Sequence, residues 1–229
     1  MIFEDRVDAG RQLAQRLRSF SDVDCIVLAI PRGGVVVGFE VASAIDAPLD
    51  IIAPRKIPAP GEPELAIGAV TAWGDGYILD EETVRYFRVS EDYIEGEMQA
   101  QIQEARRRLL AYRGSVEPPD LEGKTALIVD DGIATGYTML AAVRSAKQLN
   151  AAKLVVAAPV ASAEAAQRIR REVDELICLA VPMPFMAVGS WYREFTQVTD
   201  EQVTEILRRS KESRESQESR AFRDSEIPL

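Results

Sequence analysis

An α/β fold built on a parallel sheet is the architecture this sequence predicts, and three observations predict it. Continuous apolar runs of strand length recur as Cys25-Ile-Val-Leu-Ala-Ile30, 124–130, 153–159 and 176–181. Runs without polar alternation suit strands that are buried on both faces. Helical patterns at 138–149 and 162–173 separate the last three runs, and strands alternating with helices imply right-handed parallel crossovers. The third observation is size. A chain of 229 residues, 47% hydrophobic and 28% charged, can bury the core of one large folded domain.

Each element carries its own signal. Phe3, Val7, Leu13, Leu17 and Phe20 recur at near-helical spacing and predict an amphipathic helix over about 4–19. Pro31-Arg-Gly-Gly34 stops the first strand, a helical pattern runs from Val35 to Ile45, and a second strand spans Leu49 to Ala53. Pro58, Pro60 and Pro63 with Gly61 mark a loop over 57–64, after Pro54-Arg55-Lys56. Residues 66–73 and 77–79 read as a hairpin around Gly74-Asp75-Gly76. A short helix follows at 81–88. Ser90 then caps a longer helix, with Tyr93 as its N3 residue, that runs to about Tyr112. Arg106-Arg107-Arg108 lies near its C-terminus, where the helix dipole favours positive charge. Pro118 and Pro119 end that segment, and residues 200–209 make a last helix. From Ser210 to the end the chain is rich in Ser, Glu, Arg and Lys, which predicts a polar, disordered tail or a frayed helical extension. With no internal repeat and no linker, 1–209 reads as one domain and 210–229 as its tail.

Composition removes several kinds of chemistry. The chain has no histidine, which excludes Ser-His-Asp and Cys-His nucleophile arrangements and His-containing zinc sites. Cys25 and Cys178 are the only cysteines, each in an apolar run; they read as buried reduced thiols of a cytoplasmic protein. A net charge of −10 argues against generic nucleic-acid binding. The N-terminal Met-Ile-Phe-Glu-Asp-Arg is not a signal peptide, and no apolar run approaches the ~18 residues of a membrane span. Carboxylates, Lys, Arg, Tyr, hydroxyls, backbone amides and a hard metal remain.

The stretch from Ala126 to Thr138 concentrates the chemistry. An apolar run ends in two adjacent carboxylates, Asp130 and Asp131; a loop of small and hydroxylated residues follows, and then a helix begins. A buried strand delivers such acids to its carboxyl end, where open α/β sheets bind ligands. Loop amides, the Thr135 and Thr138 hydroxyls and a helix N-terminus suit a phosphate. An anion cradle beside two acids suits a sugar phosphate whose hydroxyls, with Mg²⁺, face the carboxylates. Upstream, Gly33 and Gly34 let backbone approach a ligand closely, and Arg32 adds donors that match phosphate oxygens.

Leu127-Ile-Val-Asp-Asp-Gly-Ile-Ala-Thr-Gly-Tyr-Thr138 resembles the phosphoribosyl-diphosphate (PRPP) signature of the type I phosphoribosyltransferases. Pro31-Arg-Gly-Gly34 is similar to the pyrophosphate loop of that family. With Pro63-Glu-Leu-Ala-Ile-Gly-Ala69, these motifs identify the chain as a member of a phosphoribosyltransferase subgroup, with a resemblance over roughly 24–195. Two positions depart from the pattern. Gly132 stands where an apolar residue is usual, and Ala134 where many members carry Asp or Thr, so no base is carried over to position 134.

The resemblance implies a parallel-sheet core with flanking helices, a helical insert at about 80–118 and a hood at about 182–199. It implies that Asp130 and Asp131 hold the ribose hydroxyls, directly or through Mg²⁺-bound water, and that Ala134, Thr135, Gly136, Tyr137 and Thr138 bind the 5′-phosphate. Arg32, Gly33, Gly34, Arg55 and Lys56 would receive pyrophosphate, with Asp130, Asp131, Arg32 and Lys56 as the catalytic set. Four aromatics in Pro182–Gln197 supply candidates to cover a base; Met186 takes the stacking position of the hypoxanthine-guanine enzymes, with Phe185, Val188, Trp191 and Tyr192 beside it. The implied activity is Mg²⁺-dependent transfer of 5-phosphoribosyl from PRPP to a nitrogenous acceptor, in a homodimeric protein that engages neither nucleic acid nor membrane. A non-catalytic PRPP-binding regulator is the alternative, followed by a structural role on a degenerate fold.

Rival motifs fail on placement. Gly123-Lys124-Thr125 resembles the end of a P-loop, but Pro118 occupies the required glycine position and the motif precedes its strand. Gly33–Gly38 lacks the Gly-x-Gly-x-x-Gly spacing of a dinucleotide site. A receiver-type acid pair would not need the Thr-Gly-x-Thr loop.

Overall fold

The computed structural model of the chain describes residues 2–73 and 77–225. It opens with α1 (Arg6–Arg16), whose first turn is capped by the Asp5 carboxylate accepting from the Asp8 amide. The strand β1 (Cys25–Ala29) runs into α2 (Gly33–Ile45), which returns the chain to β2 (Leu49–Ile51). A hairpin unit follows: β3 (Arg55–Ala59), β4 (Glu62–Val70), β5 (Tyr77–Leu79), α3 (Glu81–Tyr86) and α4 (Glu91–Arg113). Next comes the regular part, β6 (Thr125–Val129), α5 (Tyr137–Gln148), β7 (Lys153–Val160), α6 (Ala163–Ile169) and β8 (Glu175–Ala180). A short 3-10 turn, Val188–Trp191, precedes α7 (Asp200–Ser225).

The main sheet is parallel throughout, in the order β2-β1-β6-β7-β8. Every residue of β6 is buried, and β7 is buried from Leu154 onward, as continuous apolar runs between two helical layers require. One core cluster joins Ile128, Val156 and Met139 to α4 and α7; the other packs Val27, Leu127 and Val155 against α1 and α2. From β1 the chain steps outward to β2, whereas from β6 it steps the other way to β7 and β8. The strand order therefore reverses between β1 and β6, and ligands bind at such a switch point.

One expectation is corrected here. The segment 57–64, read as a loop from its prolines, forms β3 and the start of β4, antiparallel with register shifts on either side of Pro58. Ile57, Ala59 and Ile67 turn inward against Tyr93, Ile94 and Met98 of α4, and the bulge accommodates the proline. Of the two alternatives for the polar tail, the structure has the helical extension: α7 continues to Ser225, with charge pairs one turn apart, Arg208 with Glu212 and Lys211 with Glu215.

Other expectations agree with the structure. Ser90 caps α4 by accepting from the Tyr93 amide at 3.3 Å, and Gly114 closes that helix at φ 72°. The expected turn at Gly74-Asp75-Gly76 and the last residues, 226–229, lie outside the described residues. Cys25 is buried and unpaired; Cys178, also unpaired, is only half-buried. Among the described residues, no helix is long and apolar enough to cross a membrane.

Candidate active site

Parallel pairing in register, Ala29 against Val129, makes β1 and β6 end at the same level. Pro31–Gly34 and Asp130–Gly136 therefore leave the sheet side by side at the switch point. Their contact is too close for side chains. A Cβ on Gly33 would sit 1.9 Å from Asp131 Oδ2, and one on Gly34 would sit 2.9 Å from Asp130 Cα. These glycines let the start of α2 lie directly against the acid pair. The Pro31–Arg32 peptide bond is cis.

The helix starts around this point differ from the others. Asp5, Asp80, Ser90 and Ser162 cap α1, α3, α4 and α6 with side-chain oxygens. Neither α2 nor α5 has a side-chain cap; their N-cap residues are Arg32 and Gly136, the latter at φ 83°. First-turn amides without a cap carry the positive end of the helix dipole and suit an anionic ligand. Around α5 the loop is fixed from behind. The Ile133 amide donates to Val160 O at 2.9 Å, and the Ser162 hydroxyl donates to Ala134 O at 2.6 Å. Ala134 and Thr135 remain exposed, and Thr138 is half-buried. The Tyr137 hydroxyl donates to Asp80 Oδ2 at 2.6 Å, which holds that side chain toward β5.

The two carboxylates differ. Burial, and then the neighbouring Asp131 charge, pushes the Asp130 carboxyl well above the usual carboxylate range. Asp130 Oδ1 accepts from the Asp131 amide at 2.8 Å, and among the described residues no cation bonds to it. Asp131 Oδ2 instead accepts from Arg6 Nε at 2.6 Å, with both side chains largely buried. Burial raises the Asp131 carboxyl, and the Arg6 guanidinium opposes that rise. Sequence reasoning missed Arg6. Its one local signal is a cation in the first turn of a helix, where the dipole disfavours it, which implies a partner elsewhere.

The basic residues expected around pyrophosphate do not converge in the same way. Arg32 Nη1 lies 3.5 Å from Asp200 Oδ1 at the start of α7, and that carboxylate also accepts from the buried Tyr112 hydroxyl at 2.6 Å. Arg55 lies on the Ile57 face of β3 and donates from Nε to Gln101 Oε1 of α4 at 3.1 Å. Lys56 is exposed on the opposite face of β3.

Known proteins resemble this chain. The sequence profile of the phosphoribosyl transferase domain family matches residues 5–191. This chain belongs to that family. Two Mycobacterium tuberculosis strains carry a protein named "Putative phosphoribosyl transferase" that is 43% identical over 210 residues, 91% of this chain and 47% of theirs. The chain thus spans about half the length of those relatives. The crystal structure of TT1426 from Thermus thermophilus is 41% identical, covers 90% of this chain and 98% of its own, and superposes with a TM-score of 0.75. A ribose-phosphate pyrophosphokinase of Thermococcus kodakarensis is 38% identical over 89 residues, 37% of this chain and 32% of its own.

As a phosphoribosyltransferase-family chain, it should carry its hood between β8 and α7, and the structure divides the expected hood residues. Val188 packs on Gly132, where a Cβ would lie 2.3 Å from Val188 Cγ1, and this contact accounts for a glycine at that unusual position. Tyr192 is not a stacking face. It is buried with Phe3 and Ala9, and its hydroxyl donates to the Asp131 carbonyl. Trp191 packs on the same cluster, and its Nε1 is buried without a partner. Met186 is 82% exposed and Phe185 is half-buried.

Proposed function

We propose that this chain transfers the 5-phosphoribosyl group of PRPP to a nitrogenous acceptor, a nucleobase in the simplest case, and releases pyrophosphate with the help of Mg²⁺. The observation that carries this reading is the junction of two uncapped helix starts with an acid pair, at the switch point of a family member's sheet. One helix start suits the 5′-phosphate and the other the pyrophosphate, and the acid pair between them suits ribose hydroxyls.

The donor set also fits a magnesium ion. Mg²⁺ is commonly held by one or two carboxylates plus substrate oxygens rather than by a protein cage, and no cage of three acidic, Cys or His groups exists among the described residues. When bound, Mg²⁺ neutralises charge on the departing pyrophosphate. The chain's own groups do the rest. Amides of 134–138 anchor the 5′-phosphate, and Asp130 accepts from the ribose hydroxyls and faces the positive charge that develops on the ribose ring. Arg32 and Lys56 receive pyrophosphate as the C1–O bond breaks and its electron pair leaves with that oxygen. The acceptor nitrogen forms the new bond to C1 with its lone pair. Charges aimed at where charge develops in the transition state usually supply the largest share of catalysis.

A regulator that binds PRPP without turnover is the second reading, and the commitment of Arg32 and Arg55 to other partners favours it. A purine and pyrimidine panel with PRPP and Mg²⁺, scored by pyrophosphate release and nucleotide mass, separates the two. Transfer to one base supports the enzyme. PRPP binding without transfer to any base supports the regulator.

A further inference from the structure

Arg6 reaches the acid pair from the far end of the sequence and is held there by three residues from two segments. Its Nε donates to Asp131 Oδ2 at 2.6 Å, and its Nη1 donates to the Thr196 carbonyl at 2.7 Å. Its guanidinium carbon lies 3.8 Å from the centroid of the Phe195 ring, which stacks in turn on Tyr192. The side chains of Arg6 and Asp131 are only 11% and 14% exposed. A desolvated pair fixed in this way does not open cheaply, because either partner alone would be a buried, uncompensated charge. Asp131 is bound on its other atoms too: its carbonyl accepts from the Tyr192 hydroxyl, and its amide donates to Asp130 Oδ1.

Two adjacent carboxylates at a ligand site ordinarily repel and invite a cation. Here the chain supplies one. A Cβ at position 33 would fall on Asp131 Oδ2, so the start of α2 covers that oxygen from the other side. At Asp130, by contrast, Oδ1 accepts from a main-chain amide, and among the described residues no cation bonds to the carboxylate.

We propose that Arg6 is a positioning residue that takes, at Asp131, the place a divalent cation would otherwise occupy, leaving Asp130 as the carboxylate that meets ribose hydroxyls or a hydrated metal ion. This division of labour rests on the PRPP reading, and it makes the pair asymmetric. Asp131 orients the loop, and Asp130 reads the ligand. Arg6 also lowers the attraction of the ligand-free site for bare cations, so a metal ion arrives with the substrate oxygens that complete its shell.

The test uses Mn²⁺ alone as probe, followed by electron paramagnetic resonance on the ligand-free full chain, beside ribose 5-phosphate titrations by calorimetry. Arg6→Gln uncovers Asp131 and is expected to gain Mn²⁺ affinity by about tenfold or more, a scale set by one unscreened charge. Arg6→Lys, which keeps the charge, should stay near wild type, and Arg6→Gln with Asp131→Asn should lose the gain. A role limited to holding the fold would lower the melting temperature without moving Mn²⁺ affinity. Equal Mn²⁺ affinity in folded wild type and Arg6→Gln overturns the proposal. If Arg6→Gln does not fold, the near-isosteric acid variants decide. Asp130→Asn should lose at least about tenfold more ribose 5-phosphate affinity than Asp131→Asn, and equal losses overturn the asymmetry. A wild type that binds Mn²⁺ as expected but no ribose 5-phosphate or PRPP would instead count against the function, and the Mn²⁺ comparison would still judge Arg6.

Discussion

The two sides of the candidate site are built to different degrees. On the side proposed for the phosphoribose, the loop from Asp130 to Gly136 is held by main-chain hydrogen bonds, by Ser162 and by Arg6, and its candidate anion donors are backbone amides that cannot swing away. On the side proposed for pyrophosphate the glycines are in place, but Arg32 leans on Asp200, Arg55 is bound to Gln101, and Lys56 extends into solvent. One half is preformed. In the other, Arg32 and Arg55 are paired elsewhere, and under the proposed reaction they exchange partners to hold pyrophosphate. Strong donors that meet pyrophosphate only as the C1–O bond breaks favour the transition state over the ground state, whereas a rigid cradle binds both alike.

The largest effect should follow from forcing the two halves apart. Gly33→Val places a side chain on Asp131 Oδ2, so α2 and the acid pair must separate. Overpacking of this kind costs about 1–3 kcal/mol of stability. Calorimetry should show loss of both ribose 5-phosphate and pyrophosphate binding. Retention of both ligands would mean that the two loops need not touch. Next in size, Arg32→Ala or Lys56→Ala should lower kcat by roughly 10²-fold while weakening PRPP binding much less. Parallel steady-state kinetics and binding measurements check this. A loss confined to KM would make the basic side as preformed as the phosphate side.

A smaller effect should come from Asp200→Asn. Its pairing with Arg32 is an exposed contact at 3.5 Å, and such pairs contribute about 0–1 kcal/mol. Released from it, Arg32 should bind pyrophosphate up to about fivefold more tightly, with ribose 5-phosphate unaffected. A weaker pyrophosphate affinity would show that Asp200 aims Arg32 rather than withholding it.

How much of this was legible in the sequence follows the same division. The phosphoribose side is one contiguous stretch, and local rules suffice for it: an apolar strand, two acids at its end, a glycine and a helix start. The parallel core was legible for the same reason, because buried runs and helical periods are local. Contacts across the chain were not. Arg6 meets Asp131, and Tyr112 meets Asp200, over long separations that no spacing encodes. Tyr192, read as a face for a base, is used instead to anchor the Asp131 carbonyl, since a buried hydroxyl must find an acceptor. The proline-rich segment misled because its strand pairing depends on α4 covering Ile57 and Ile67, a tertiary effect that overrides local turn signals. The tail left two readings open, because a polar composition alone does not separate disorder from a helix with charge pairs one turn apart.

The central claim is that PRPP binds at the junction of β1 and β6 and is read there by Asp130. Calorimetric titration of PRPP with Mg²⁺ into folded wild type and folded Asp130→Asn tests it most directly. The account predicts clear binding by wild type and at least about a tenfold loss in the variant, which corresponds to about 1.4 kcal/mol. No binding by folded wild type, or equal affinity in the two proteins, would contradict it.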